Sequence, residues 1–195
     1  MNLPNQLTLG RLGLTAVFVT VTSVPCRYQA TAAIVLFALA GITDWLDGWL
    51  ARRWNLITDF GKLMDPLADK ILVTAALLYL LQAGRVPLWM AVVMISREFL
   101  ITGLRLIASS KGVVIAADKA GKHKTISQLV AILVALLCLA VAERGLGGRW
   151  LRALEIATPW LFAWATLITV ASGAWYFWKN RRFVFDPSAH APNHR

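Results

Sequence analysis

Charged side chains are scarce in this chain: only 15% of its 195 residues are Asp, Glu, Lys or Arg, and just ten are acidic. A soluble domain of this length carries more charge, and it cannot bury the 58% of residues that are hydrophobic here. The mean hydropathy of +0.61 points the same way. Cysteine is almost missing as well. Cys26 and Cys138 are too far apart for a redox or metal motif and are expected as two unpaired, mostly buried thiols. Long polar linkers are absent, so no soluble domain fits between the apolar runs, and no internal repeat is visible. Motifs for binding DNA or RNA are also lacking. The net charge of +10 therefore suits a cytoplasmic face and anionic lipid better than nucleic acid.

What remains is a series of six apolar stretches, near Leu7–Val24, Gln29–Ala51, Thr58–Leu81, Pro87–Ser109, Ile126–Val141 and Leu154–Phe177. Each approaches the ~20 residues a helix needs to cross ~30 Å of hydrocarbon. The expected fold is all-α: an integral membrane bundle of six transmembrane helices forming one embedded domain over residues 1–185, with a disordered tail over 186–195. The first run ends in Thr22-Ser23-Val24-Pro25-Cys26, a poor cleavage site, and is read as a retained span. Placing both termini in the cytoplasm puts Arg52, Arg53, Lys62, Lys111, Lys119, Lys122 and Lys124 inside and leaves Arg27, Arg85, Arg144, Arg149 and Arg152 outside, as charge asymmetry favours. Trp150, Trp160, Trp175, Tyr176 and Trp178 suit interfacial belts at the ends of the sixth span.

Ionisable residues inside apolar spans are costly and mark candidate sites. Half of the ten acidic residues, Asp44, Asp47, Asp59, Asp65 and Asp69, fall in the second and third spans. Asp44 and Asp47 are three apart and share a helix face; Asp65 and Asp69 are four apart and share another. A short turn near Leu56 makes the two spans antiparallel, which matches Asp47 in depth with Asp65 and Asp44 with Asp69. Four carboxylates converging in a low dielectric need cations. They either bind hard divalent ions such as Mg²⁺ through oxygen, or relay protons and pair with Lys70 and Arg52. The small residues Gly48, Ala51 and Gly61 leave space for a ligand near the backbone. Two such ions would suit phosphoryl chemistry. Lys70, Arg97, Glu98 and Arg105 are the other ionisable residues within spans.

In order, these residues read Asp44-x-x-Asp47-Gly48-x-x-Ala51-Arg52, eight residues, then Gly61-x-x-x-Asp65-x-x-x-Asp69. The pattern resembles the signature of the CDP-alcohol phosphatidyltransferase family at every defined position. Leu3-Pro4-Asn5-Gln6-Leu7-Thr8 with Arg11, Leu63 to Lys70, Ser96-Arg97-Glu98-Phe99 with Gly103-Leu104-Arg105, and Gly121-Lys122-His123-Lys124-Thr125 are similar to the branch of that family with glycerol 3-phosphate as acceptor. The resemblance thus runs from the N-terminus to about Ser127.

The resemblance implies transfer of a phosphatidyl group from CDP-diacylglycerol to glycerol 3-phosphate, with release of CMP. It implies Mg²⁺ or Mn²⁺, two ions, on Asp44, Asp47, Asp65 and Asp69, with Asp69 also the general base. Gly48, Ala51, Arg52, Thr58 and Gly61 would line the CDP-lipid site, although Gly and Ala also serve helix packing and Thr58 could simply cap the third span. Arg97, Arg105, Lys122 and Lys124 are the candidates for the acceptor phosphate. Against this, the lysines also fit ordinary positive-inside charge, and Arg97 with Glu98 also fits a buried pair. A homodimer is implied too. The retained internal spans and the compactness of the chain suit a bacterial inner membrane, with the site facing the cytoplasm; a mitochondrial inner membrane is the alternative. Two rivals stay open: a sibling enzyme accepting inositol phosphate, serine or phosphatidylglycerol, and a cation transporter using the four aspartates as its ion site.

Overall fold

The computed structural model describes the backbone over residues 3–54, 59–110 and 119–181, and side chains over 9–43, 70–108 and 123–181. Within these residues the fold is six α-helices: α1 Leu3–Ser23, α2 Gln29–Trp54, α3 Asp59–Gln82, α4 Leu88–Ser110, α5 Lys119–Glu143 and α6 Arg149–Asn180. All six apolar stretches are helical, and the helices overrun them by up to seven residues at their polar ends. The turn near Leu56, Thr58 and the tail after Arg181 lie outside the described residues. By length and composition, two segments among the described residues can cross a bilayer, His123–Glu143 and Arg149–Asn180. The side-chain-described parts of α1, α2 and α3 are shorter, and α4 carries Arg97, Glu98 and Arg105 along its length.

The chain forms two compact units, residues 1–86 with 132–159 and residues 87–131 with 160–195. In the first, α1 packs against both α2 and α3. Phe18 is fully buried at their junction, its ring 6.3 Å from Phe37 on α2 and 6.4 Å from Tyr79 on α3. Ala33, Ala40 and Ala76 are buried completely; small side chains let apolar helices approach closely where lipid supplies no hydrophobic drive. Buried threonines satisfy themselves within their own helix, Thr15 donating to the Arg11 carbonyl and Thr22 to that of Phe18.

The helix ends are closed by specific bonds. Gln29 Nε2 donates to the carbonyls of Val21 and Thr22 at the end of α1. Gly84 (φ 68°) and Gly145 (φ 66°) terminate α3 and α5 in the left-handed region, and the following residues reach back, Arg85 N to Leu80 O and Leu146 N to Val141 O. The start of α2 is capped from 113 residues away. Glu143 accepts the backbone N–H groups of Ala30 and Thr31, each at 2.9 Å, and the Thr31 hydroxyl at 2.8 Å. A carboxylate at a helix N-terminus satisfies orphan donors and meets the positive end of the dipole.

Two expectations need correction. Cys138 is buried but Cys26 is exposed, because it falls in the turn between α1 and α2 rather than in a span. Tyr176 is buried, at 4% exposure, whereas Trp150, Trp160, Trp175 and Trp178 are 61–84% exposed. The four tryptophans have the exposure interfacial residues require, and the tyrosine is drawn inward by a polar partner described below.

The Glu143 cap generates a stability prediction. Glu143→Ala should lower the unfolding free energy by about 1–2 kcal/mol, read as a lower thermal midpoint in detergent, with Glu143→Gln intermediate. An unchanged midpoint for Glu143→Ala would show that the cap contributes nothing.

Candidate active site

The second unit holds the candidate cations whose side chains are described. The buried face of α6 recurs every three or four residues: Phe162, Ala165, Thr169, Ser172, Tyr176 and Asn180 are all 7% exposed or less. Two of its polar members, Ser172 and Tyr176, meet ionisable residues of α4. Arg97 spans the gap between these helices. Its Nη2 donates to Ser172 Oγ at 3.3 Å and its Nη1 to Glu98 Oε1 at 3.2 Å. Gly173 makes this possible: a Cβ there would lie 3.0 Å from Arg97 Cγ, so a larger residue would push the stem away.

Glu98 also accepts from Lys124 at the start of α5. Lys124 is 3% exposed, and a buried ammonium requires such a counter-charge. The structure therefore brings Arg97 and Lys124 together on one carboxylate and fastens α4, α5 and α6 to one another. Arg105 lies eight residues further along α4, about 12 Å by helix rise. Its Nε donates to Tyr176 Oη at 3.1 Å and its guanidinium lies 5.6 Å from the ring centroid. Ile101, Leu104 and Tyr176 form a small buried cluster behind it. The terminal nitrogens of Arg105 have no partner among the described residues, and the residue is exposed. A guanidinium steered by its inner nitrogen and open at its fork is suited to a phosphate.

Beside these groups runs an apolar groove along α4 and α6, a cavity of about 960 Å³ lined by residues including Leu100, Gly103, Leu104, Val170 and Phe177, with Ser96 and Arg97 among its few polar residues. Its lining matches lipid hydrocarbon in chemistry.

The remaining candidates lie where side chains are not described: Asp44, Asp47, Gly48, Ala51 and Arg52 on α2, Gly61, Asp65 and Asp69 on α3, and Lys122 on α5. Both aspartate pairs fall on continuous helix, so their spacings of three and four residues are spacings along a helix axis. Among the residues with described side chains, no group of three or more His, Cys, Asp or Glu could hold a metal ion. Sequence reasoning missed Ser172, Gly173 and the inward role of Tyr176. Their three-to-four-residue recurrence on α6 was the available signal, but the aromatic residues flanking Tyr176 masked it.

A helical chain with this motif on two adjoining helices, and a set of fixed cations on a third, defines a class of membrane-bound group-transfer enzymes acting on phosphate esters. The CDP-alcohol phosphatidyltransferase family model matches residues 1–178, and the chain belongs to that family. It is 42% identical to the CDP-diacylglycerol–glycerol-3-phosphate 3-phosphatidyltransferase of Bacillus subtilis, over 92% of this chain and 95% of the other. Relatives of the same name share 33% identity in Rickettsia felis, over 86% of this chain and 91% of the other, and 40% in Escherichia coli, over 67% and 74%. Family membership decides between the classes left open by the aspartates: the chain is an enzyme, not an ion carrier.

The ion pair makes a prediction of its own. Glu98→Ala leaves Lys124 buried without this counter-charge and should cost up to about 3 kcal/mol. Glu98→Ala/Lys124→Met should recover most of that loss in thermal unfolding. Equal midpoints for the single and double variants would show that the two side chains are not coupled.

Proposed function

We propose that this chain transfers the phosphatidyl group of CDP-diacylglycerol to glycerol 3-phosphate, forming phosphatidylglycerophosphate and releasing CMP. The observation that carries this reading is the 42% identity, over nearly the whole of both chains, to a Bacillus subtilis enzyme named for that reaction. The oriented, open guanidinium of Arg105 supports it, because a phosphorylated acceptor needs such a group and a serine acceptor does not.

Asp44, Asp47, Asp65 and Asp69 would hold two divalent cations, Mg²⁺ or Mn²⁺. The fit rests on an all-oxygen donor set in two pairs on α2 and α3, the chemistry hard cations prefer. When bound, such ions neutralise a pyrophosphate and stabilise attacking and leaving oxygens. Asp69 takes the proton of the acceptor hydroxyl. That oxygen bonds to the phosphorus bearing the diacylglycerol, the phosphoanhydride P–O bond breaks, and CMP carries away the electron pair. No Cys, His or Ser occurs between Asp44 and Asp69, which favours direct displacement over a covalent intermediate on those residues. Gly48, Ala51, Arg52, Thr58 and Gly61 line the CDP-lipid site; Arg97, Arg105, Lys122 and Lys124 receive the acceptor phosphate.

All six helices span the membrane, with both termini and the site on the cytoplasmic side of a bacterial inner membrane. Residues 1–185 act as one catalytic domain. The enzyme works as a homodimer.

Purified protein given CDP-diacylglycerol and glycerol 3-phosphate should release CMP, and EDTA should stop it until Mg²⁺ or Mn²⁺ is restored. Asp69→Asn should keep CDP-lipid affinity yet lose turnover by a factor of about 10²–10⁴. If affinity collapses together with kcat, Asp69 is a ligand and not the base. CMP release without dependence on any acceptor would overturn the proposed reaction.

Arg105→Ala should raise the KM for glycerol 3-phosphate at least about tenfold, the loss of one charge-assisted contact, with little change in that for CDP-lipid. Equal changes for both substrates would assign Arg105 to folding.

A further inference from the structure

Gln128 sits one helical turn after Lys124 on α5, on the same face. It is 2% exposed. Its amide nitrogen, Nε2, is buried with no hydrogen-bond partner among the described residues. Burying an amide donor unsatisfied is unfavourable, and such groups need a reason. A second such donor lies in the network around Lys124: Arg97 Nε is also buried without a partner among the described residues, and Arg97 shares Glu98 with Lys124. Two buried donors flank one ion-pair network and wait for acceptor oxygens. The sequence alone gave no sign of this, since a glutamine near the polar start of a span reads as an interfacial residue.

The two donors differ in kind. Arg97 and Lys124 are cationic and match a phosphate. The Gln128 amide is neutral, lies further into the helix, and matches a hydroxyl. We infer that Gln128 is a specificity-determining residue that donates its amide hydrogen to the non-reacting hydroxyl of a phosphorylated polyol acceptor, one helical turn from the cations that hold the phosphate. This rests on the reading that Lys124 meets the acceptor phosphate, and it adds a second recognition element to that site. A site built to bond a hydroxyl rejects an analogue lacking it, because the buried donor is then left unpaired.

The test compares glycerol 3-phosphate with its 2-deoxy analogue, 3-hydroxypropyl phosphate, on wild-type protein and on Gln128→Leu, with CMP release as the readout. The wild type should favour glycerol 3-phosphate in kcat/KM by at least about tenfold. Gln128→Leu should erase that preference by losing activity on the natural acceptor while holding or gaining activity on the analogue, with the KM for CDP-diacylglycerol unchanged. Gln128→Asn, which keeps an amide on a shorter stem, should restore part of the discrimination. If Gln128→Leu lowers kcat/KM equally for both acceptors, or the wild type shows no preference, Gln128 does not read the hydroxyl. Should Gln128→Leu not fold, as judged by thermal unfolding in detergent, the Gln128→Asn and wild-type comparison decides: undiminished discrimination in Gln128→Asn overturns the inference. Lys124→Met, measured alongside, tests the underlying reading separately. An unchanged acceptor KM there removes Lys124 from the site while leaving the hydroxyl preference to be scored on its own.

Discussion

The cost of placing cations inside an apolar bundle governs the second compact unit. Lys124 is almost fully buried and Arg97 largely so, and a buried cation is costly without an anion beside it. Glu98 supplies it to both, and Ser172 takes a further guanidinium nitrogen. Glu98 thus fastens α4 to α5, and the Arg97–Ser172 bond fastens α4 to α6, so the cations are held in place by the packing itself. Fixed charges aimed at incoming charge avoid reorganisation during the reaction, the usual source of electrostatic catalysis. The same bonds that stabilise the helix packing therefore orient the groups proposed to receive the acceptor phosphate. A bundle held by apolar contacts alone would leave the long side chains of Arg and Lys free to turn outward toward the polar interface.

Gly173 and Tyr176 extend this logic along α6. The missing side chain at Gly173 lets the Arg97 stem lie against the helix, and the hydroxyl of Tyr176 holds Arg105 by its inner nitrogen. Arg105 is then steered without being consumed. Glu98 binds its partners through their outer nitrogens and neutralises them in part, whereas Tyr176 is neutral and leaves the charge of Arg105 intact.

Much of the fold was legible because hydrophobic run length is a direct physical constraint. A bilayer demands about 20 apolar residues per crossing, and all six runs proved helical. The family was legible in eight fixed residues between Asp44 and Asp69. The partners of the cations were not legible. Glu98 could be paired with Arg97 from adjacency, but Lys124 is 26 residues away and was equally readable as positive-inside charge. Tyr176 stands among Trp175, Phe177 and Trp178, where composition argues for an interfacial belt; only the three-to-four-residue phase of the α6 stripe separates the one inward ring from its outward neighbours. Cys26 failed for the opposite reason: average burial of a residue type says nothing about one placed in a turn.

The cap on α2 shows how distant parts of the chain position the aspartate-bearing helix. α2 begins at Gln29 and runs without a break to Trp54, so Asp44 and Asp47 stand about 22 and 27 Å from its start by helix rise. A rigid helix transmits an error at one end to the other. Glu143, at the end of α5, fixes that start through two backbone N–H groups and a hydroxyl, and Gln29 fixes it against the last carbonyls of α1. Phe18, Phe37 and Tyr79 then lock the same helix midway against α1 and α3.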